Sequence, residues 1–467
     1  YCLSSCFRKD IILFISLIFI FRFLPIFLIL YFIMPDKYKN FTLLFFSLIF
    51  YSIGEPMYFP LMIASILVDY FISIAIENNY DNRLKCRFLL TLSILFNMGM
   101  LFFFKYVNFF IDNINLIFST SLRNLKLALP LGISFYTFQT LSYSIDVFNG
   151  KVKAERNIID FGAFVSSFPQ LIAGPIVKYT DINKEIKKRN HSLDNFETGM
   201  EEFIMGLGKK VLIANNIGIL WTEIYSKDIS EISMPLAWIG ILAFSFQIYF
   251  DFSGYSSMAI GLGKIIGFNF PTNFNFPYIS RSISEFWRRW HITLGSWLRE
   301  YIYIPLGGNR VSKKRLLFNL LVLWFLTGFW HGAEYTFILW GLYFFLLTYI
   351  EKRFLSNFLN KNIIFSHIST RFFLLIGWTI FAIDKLDLLS NYLKRMFSFN
   401  FTLDWIYYFN NYILVFIICF ICSTPLVLKL YKKMNKPIKS VVIIAIFLLS
   451  IAYLVDSTYN PFLYFRF

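Results

Sequence analysis

Charged residues are scarce in this chain. Asp, Glu, Lys and Arg together make up 15% of the 467 residues, whereas 57% are hydrophobic and 21% are aromatic. A soluble domain typically carries about 25% charged residues. Apolar runs long enough to cross a bilayer recur along the sequence, and the longest clearly polar stretch is only Lys178 to Glu202. These features exclude a soluble globular protein and predict an all-α, polytopic membrane protein.

Acidic residues are the scarcer of the two charged classes. Lys and Arg number 44 against 28 Asp and Glu, which gives a formal net charge of +16. In a soluble protein this surplus would suggest nucleic-acid binding. Here the basic residues cluster in short segments between apolar runs, such as GKK at Gly208 to Lys210 and NRVSKKR at Asn309 to Arg315. Positive charge on the cytoplasmic side of a membrane accounts for that distribution, so we predict contact with membrane lipids and no nucleic-acid partner.

Cysteine and histidine are also rare, at five and four residues. The single CxxC pair, Cys419 and Cys422, lies in an apolar run and has no second half-site, which argues against a zinc centre or a redox pair. The sequence contains no G-x-S-x-G, H-E-x-x-H, Walker or dinucleotide-binding motif. We therefore predict no metal and no bound cofactor.

The apolar runs predict about ten to thirteen transmembrane or re-entrant helices, and no linker or internal repeat divides them. The chain begins at Tyr1 without an initiator Met, so residues 1–10 are interpreted as an uncertain start and the run after them as a retained first span. One domain over residues 1–467 is the simplest organisation. The predicted spans are Ile11 to Met34, Phe41 to Ile53, Pro60 to Ile76, Phe88 to Phe110, Ile133 to Phe148, Ile158 to Val177, Phe203 to Trp221, Leu236 to Leu262, Leu316 to Trp330, Tyr335 to Ile350, Phe372 to Ile383, Tyr412 to Leu428 and Val441 to Val455.

The segment Asn269 to Gly308 fits neither a span nor a solvated loop, because it mixes aromatic residues with arginines. Ser284 stands before Glu285 and a helix-competent run, which suggests a helix start. We predict one amphipathic helix that lies in the interface or against the bundle and ends at the GG pair 307–308. Its apolar stripe consists of Trp287, Trp290, Leu294, Trp297 and Leu298, with Arg288, Arg289, Arg299 and Glu300 mostly outside it.

Two histidines stand in aromatic, apolar surroundings: His291 in RRWHITL and His331 in GFWHGAE. An ionisable side chain at membrane depth is costly and usually faces a cavity or a partner. His331 could bridge two helices as a neutral hydrogen-bonding group, or it could act as a general base that titrates near neutrality. Gly328 and Gly332 favour the base, because they let a substrate or another backbone approach closely.

Intramembrane carboxylates also require an explanation. Asp251 and Gln247 form a polar patch, together with nearby serines, on one long apolar helix. This patch fits a structural hydrogen-bond centre and the wall of a polar tunnel about equally well. Asp69 and Asp146, which also lie in apolar runs, are predicted to be structural.

The segment SEFWRRWHITLGSWLREYIYIPLGGNR, followed by GFWHGAEYTFILWG, resembles the signature of the membrane-bound O-acyltransferase (MBOAT) family. LPLGISFYTFQTLSYSIDVFNG and QIYFDFSGYSSMAIGLGKIIGFNFPTNFNFPYIS resemble its bacterial branch of alginate O-acetylases, peptidoglycan O-acetyltransferases and D-alanyl transfer proteins. The likeness covers about residues 16–467 and departs slightly at Gly295 and Ser296, where relatives often have Ser and Thr. It implies a many-helix fold around a funnel, with His331 as the catalytic residue and His291 as the second histidine of the site.

The resemblance also implies a reaction. An acetyl group would move from a cytoplasmic thioester, acetyl-CoA, to a hydroxyl for O-acetylation of an alginate-type polysaccharide or peptidoglycan outside the bacterial cytoplasmic membrane. Arg288, Arg289 and Arg299 would attract the phosphate-bearing donor or anchor on lipid phosphates. An extracytoplasmic acetyltransferase or acyl-accepting partner protein would pass the group on. Tyr464, in the ending YNPFLYFRF, is a candidate acyl relay by resemblance and an interfacial aromatic anchor otherwise.

Two alternatives remain open. D-alanyl transfer to teichoic acid would use a carrier-protein donor. A proton- or ion-coupled transporter belongs to another class and would use buried histidines and carboxylates for conduction. Transporters of that kind typically contain inverted repeats and paired broken helices, and the sequence shows neither.

Overall fold

A computed structural model describes residues 14–172 and 174–456 of the chain. Its regular structure over these residues is helical and contains no strand, which confirms the all-α prediction. The described residues form two compact units. One consists of residues 14–203 with Tyr255–Pro271, and the other of Ile204–Gly254 with residues 272–456.

The first unit begins with a π-helical turn, Phe19–Phe23, that leads into α1. Pro25 stands at the start of α1, where its missing N–H costs nothing. Nearly every side chain of α6 is buried, although many are polar. The helices of this unit are α1 (Leu24–Ile33), α2 (Asp36–Gly54), α3 (Phe59–Glu77), α4 (Arg83–Lys105), α5 (Val107–Phe118), α6 (Ile133–Phe148), α7 (Ile158–Ser166), α8 (Phe168–Leu171) and α9 (Tyr179–Lys187).

Two long helices have residues in both units. These are α10 (Leu193–Gly208), which continues through a π-helical turn at Lys209–Ala214 into α11 (Asn215–Tyr225), and α12 (Met234–Ile265). The remaining α-helices of the second unit are α13 (Ile283–Arg289), α14 (Ile292–Leu298), α15 (Lys313–His331), α16 (Tyr335–Ile350), α17 (Ser356–Lys361), α18 (Ile363–Ala382), α19 (Leu386–Met396), α20 (Asp404–Cys422), α21 (Leu426–Lys433) and α22 (Lys436–Asp456).

Seven helices are long and apolar enough to cross a membrane, as judged over the described residues. The other predicted spans correspond to shorter helices such as α1, α6 and α16, and to α2 and α15, which have 19 residues each but are not among the seven. The polytopic architecture is therefore confirmed. The seven are Phe59–Glu77, Arg83–Lys105, Leu193–Tyr225, Met234–Ile265, Ile363–Ala382, Asp404–Cys422 and Lys436–Asp456.

The prediction of a single amphipathic helix around the arginines is wrong. The chain instead forms α13, breaks at His291, and continues as α14 and a π-helical turn at Arg299–Tyr303. His291 has φ 44° and ψ 53°, a left-handed conformation that a helix interior does not allow. The break is stabilised by the segment around Asn273, whose backbone C=O accepts a hydrogen bond from Ile292 N–H at 2.9 Å.

The ends of this segment also refine the prediction. α13 is capped by Ser282 rather than Ser284, because the Ser282 hydroxyl accepts a hydrogen bond from Glu285 N–H at 3.0 Å. The helical structure ends at Tyr303, four residues before the predicted glycine pair, and Gly307 and Gly308, with φ values of 106° and 56°, lie in the turn that follows.

Candidate functional site

His291 is held at the break between α13 and α14. The side chain is 3% exposed, and its Nδ1 lies 3.0 Å from Oδ1 of Asn273. Its ring packs edge-on against Phe252, with centroids 4.7 Å apart, and also contacts Phe274 and Trp330 at 6.5 and 6.0 Å. His291 lies outside the seven candidate spans, and burial lowers its pKa to about 3. The imidazole is therefore neutral at physiological pH.

His331 is the last residue of α15 and is also buried. Its ring centroid lies 5.0 Å from that of Trp330, 5.1 Å from Trp340 and 5.1 Å from Phe381. Both imidazoles therefore contact the indole of Trp330 from an aromatic environment. The structure thus brings together the two histidines that the sequence singled out.

The glycines near His331 let two helices approach each other. A Cβ added to Gly328 would lie 2.3 Å from the carbonyl oxygen of Phe337, and one on Gly341 would lie 2.4 Å from that of Trp324. These distances are shorter than van der Waals contact, so α15 and α16 pack through their backbones. The sequence left open whether these glycines admit a substrate or another backbone. At Gly328 it is the backbone of α16 that approaches.

Asp251 has a charged partner that sequence reasoning missed. Its Oδ1 lies 2.7 Å from Nζ of Lys210, and the two side chains are 3% and 1% exposed. Lys210 also donates to Oδ1 of Asn215 at 2.8 Å. The assignment of GKK to a cytoplasmic basic cluster is therefore wrong for Lys210. Its place between the apolar runs FIMGLG and VLIA was the available signal, since a lysine at membrane depth needs a counter-charge.

Gln247 lies one turn before Asp251 on α12 and packs against α11. A Cβ on Gly218 would lie 2.4 Å from its Nε2. Phe252, the residue after Asp251, carries the ring that packs against His291. One helix therefore connects the ion pair with the first histidine.

Two of the three predicted arginines line a cavity of about 550 Å³. Arg288 and Arg289 belong to its wall, whereas Arg299 does not. Neither His291 nor His331 lines this cavity. Its lining residues are Ile279, Arg281, Ser282, Glu285, Arg288, Arg289, Glu351, Leu359 and His367.

The two carboxylates of the cavity, Glu285 and Glu351, both accept hydrogen bonds from within the protein. Glu285 accepts hydrogen bonds from Arg289 Nε and from the backbone N–H of Arg281, both at 2.9 Å. Burial raises the pKa of Glu285, but these bonds outweigh it and the net pKa lies below its usual value. Glu351 accepts from the backbone N–H of Ile283 at 2.6 Å, at the start of α13. The wall therefore contains three arginines and two hydrogen-bonded glutamates, so positive charges outnumber negative ones.

Tyr464 lies outside the described residues, so its proposed role stays a prediction.

Asn273 is a second residue that sequence reasoning missed. It is fully buried and accepts hydrogen bonds from both the backbone N–H and the hydroxyl of Thr293. Asn273, in TNFNFPY, carried little signal, because the sequence does not indicate that this segment pairs with the helix break.

Taken together, the fold and the site define a multi-pass membrane protein with two histidines buried around one tryptophan. The model of the MBOAT, membrane-bound O-acyltransferase family matches residues 151–384 of the chain, which is half of its length. The chain belongs to the MBOAT family. The match includes both histidines, the ion pair and the arginine cavity.

Curated relatives carry names from the same branch. A probable alginate O-acetylase AlgI of Azotobacter vinelandii is 41% identical over 401 residues, covering 84% of this chain and 79% of the relative. A peptidoglycan O-acetyltransferase of Helicobacter pylori is 37% identical over 433 residues, covering 85% and 82%. A teichoic acid D-alanyltransferase of Streptococcus thermophilus is 30% identical over 230 residues, covering 46% and 54%.

The chain is therefore an O-acyltransferase and a multi-pass protein of the bacterial cytoplasmic membrane. MBOAT acyltransferases need no bound cofactor.

Proposed function

We propose that this protein transfers an acetyl group from a cytoplasmic thioester, acetyl-CoA, to a hydroxyl group, for O-acetylation of alginate-type polysaccharide or peptidoglycan outside the cell. The observation that carries this proposal is the pair of buried imidazoles around Trp330. The two acetylating relatives named above cover most of this chain, which favours acetyl over D-alanyl transfer.

His331 is the general base of the proposed reaction. Its imidazole takes the proton of the acceptor hydroxyl while the hydroxyl oxygen attacks the thioester carbonyl carbon. The C–O bond forms, the C–S bond breaks, and the thiolate leaves with a proton to give the free thiol and the acetyl ester. His291 orients a substrate group in the same aromatic environment.

The arginine cavity is the proposed site for the phosphate groups of the donor. Guanidinium groups bind phosphate oxygens through paired hydrogen bonds, and a volume of about 550 Å³ is within the range of small-molecule sites. Arg288 and Arg289 are supported as donor ligands by their position in its wall. Arg299 is better explained as an exposed residue near lipid phosphates.

The acceptor of the first transfer is either Tyr464 or a group on an extracytoplasmic partner protein, which then acetylates the polysaccharide. Replacing Tyr464 by Phe removes the hydroxyl and keeps the aromatic ring. A covalent relay predicts that acetyl transfer to the polysaccharide is lost in Y464F. Full activity in this variant would exclude the relay and leave the partner as the acceptor.

The central experiment compares His331→Gln with wild-type full-length protein in proteoliposomes supplied with the partner protein and radiolabelled acetyl-CoA. We expect thiol release and acetyl transfer to fall by about 10²- to 10⁴-fold, because general-base catalysis is removed. His191→Gln is the matched control, since His191 packs against Tyr31 and Phe32 in the other compact unit. Undiminished transfer in H331Q, with normal folding, would contradict the proposal.

The same preparation tests the D-alanyl alternative. Transfer from a D-alanyl carrier protein but not from acetyl-CoA would favour teichoic acid D-alanylation, the activity in the name of the Streptococcus thermophilus relative. The transporter alternative is not carried further, because the chain belongs to a family of acyltransferases.

A further inference from the structure

The side-chain amide of Asn273 has one orientation that fits its surroundings. Its Oδ1 lies 3.3 Å from the backbone nitrogen of Thr293 and 2.9 Å from the Thr293 hydroxyl. A backbone N–H only donates, so a reversed amide would place its NH₂ group against another donor. Oδ1 is therefore the atom that faces Thr293, and any other group that bonds to it must be a donor.

This orientation determines which nitrogen of His291 carries hydrogen. Nδ1 lies 3.0 Å from the same Oδ1 and must donate to it. A neutral imidazole has one N–H, so Nε2 carries the lone pair. Nε2 is buried and has no hydrogen-bond partner within residues 14–172 and 174–456.

The backbone of Asn273 supports the same arrangement. Its carbonyl accepts a hydrogen bond from Ile292 N–H, and two residues further on Asn275 N–H donates to the carbonyl of Arg289, both at 2.9 Å. These two bonds bracket His291 and stabilise its left-handed backbone conformation. The imidazole that carries Nε2 lies among the rings of Phe252, Phe274 and Trp330.

We infer that Asn273 is a positioning residue, which holds His291 as the neutral tautomer with hydrogen on Nδ1 so that Nε2 accepts a hydrogen bond from a substrate hydroxyl or amide N–H. The catalytic part of this inference rests on the proposed acyl-transfer function, whereas the tautomer does not. In this tautomer Nε2 of His291 accepts a hydrogen bond, so His291 is not the acid that protonates the leaving thiolate.

Within the described part of the chain, the charged and titratable groups next to the residues that surround His291 include Asp251, His331, Arg289 and Tyr249. Asp251 is next to Phe252 and ion-paired with Lys210, and His331 is next to Trp330. Arg289 is two residues before His291 and ion-paired with Glu285, and Tyr249 packs against Phe274 and Trp290. Burial, which lowers the pKa of His291, favours the neutral ring that the hydrogen bond requires.

Nitrogen NMR tests the tautomer directly. The chain has four histidines, so the full-length protein labelled with ¹⁵N-histidine in nanodiscs gives few signals, and His291→Gln identifies those of His291. We expect a protonated Nδ1 and an unprotonated Nε2 near neutral pH. Hydrogen on Nε2, or an imidazolium, would overturn the inference whatever the activity.

Asn273→Ala tests the positioning role. Without Oδ1, the His291 signals should change from one tautomer to a mixture, and acetyl transfer should fall by about 10- to 100-fold through misorientation. Asn275→Ala is the matched control, because Asn275 is exposed and bonds to Arg289 only through its backbone. An unchanged tautomer in N273A would overturn the positioning role.

Asn273→Asp separates positioning from a merely structural role. A carboxylate keeps the acceptor oxygen but stabilises the imidazolium, so it should raise the pKa of His291 by about 1 to 3 units. Because the neutral ring is the active form, an acid limb should appear at higher pH than in the wild type. An N273D profile identical to that of the wild type would contradict the inference. If the wild-type protein shows the expected tautomer but the H291Q variant keeps full acetyl transfer, His291 has no catalytic role. In that case Asn273 still positions His291.

Discussion

The second compact unit contains two buried polar centres that are stabilised in different ways. One is the ion pair of Lys210 and Asp251, with charges 2.7 Å apart. The other is the histidine centre of His291 and His331, in which aromatic rings surround both imidazoles. A buried charge needs a partner of opposite charge, since taking one ion out of water costs several kcal/mol. A histidine can remain neutral in the same environment, so it keeps a lone pair for chemistry.

One helix, α12, contributes a residue to the ion pair and a ring that packs against the histidine centre. Asp251 and Phe252 are consecutive residues of α12, and Phe252 packs against His291. If the ion pair serves folding and the histidines serve catalysis, substitutions in the two centres should separate stability from activity.

Asp251→Ala has the largest expected effect on stability. Lys210 would remain buried without its counter-charge, which should destabilise the protein by about 3–5 kcal/mol, measured as the thermal unfolding midpoint in one detergent. Acyl transfer per folded molecule should fall far less than in H331Q. The control is the double variant Lys210→Met with Asp251→Leu, which should return near wild-type stability. A single D251A variant as stable as the wild type would show that the pair does not stabilise the fold.

Gly328→Ala should have an intermediate effect and disturb the histidine centre through packing. The new methyl group would meet the Phe337 carbonyl at 2.3 Å, and overpacking of this kind costs about 1–3 kcal/mol. Because α15 ends at His331, acyl transfer should fall together with the unfolding midpoint. Gly295→Ala is the control, since the nearest atom lies at 4.0 Å and an exposed helical site gains about 0.5–1 kcal/mol. Equal stability of the two variants would argue against close packing at Gly328.

Gln247→Met should have the smallest effect. Gln247 Oε1 is buried without a hydrogen-bond partner in the described part of the chain, so an unbranched apolar side chain of similar size should change stability by less than about 1 kcal/mol. Acyl transfer should be unchanged, as measured by thiol release. A tenfold loss of transfer at unchanged stability would instead assign Gln247 to a substrate path, and the ion-pair centre would then share in catalysis.

Composition also separates the helices that contact lipid from those that form the interior. The span Lys436–Asp456 has a mean hydropathy of 2.6 and is 11% buried, whereas Met234–Ile265 has 1.4 and is 83% buried. The less apolar helix is the interior one, because lipid-facing residues need only be apolar while interior residues must also pair polar groups. Hydropathy therefore predicted that both helices exist but not which one lies inside. The polar residues of QIYFDFSGYSS belong to the interior helix, where they can pair with other polar groups.

The limits of sequence reasoning are clearest at the helix break. The stripe of Trp287, Trp290 and Leu294 has helical spacing, and those residues lie on helices or next to the break. The prediction of one continuous helix failed because the break depends on hydrogen bonds from Asn273, nearly twenty residues away along the chain. Local periodicity does not report pairing of that kind.

By itself, the sequence determined that this is a polytopic helical membrane protein of the MBOAT family and which two histidines deserve attention, because apolar runs and a dense local motif are properties of contiguous residues. Only the tertiary structure decided that Lys210 neutralises Asp251, that Gly328 packs against another helix, and that Asn273 orients His291. Each of these depends on residues that are distant in the chain and adjacent in space, where burial in a low-dielectric interior makes their pairing obligatory.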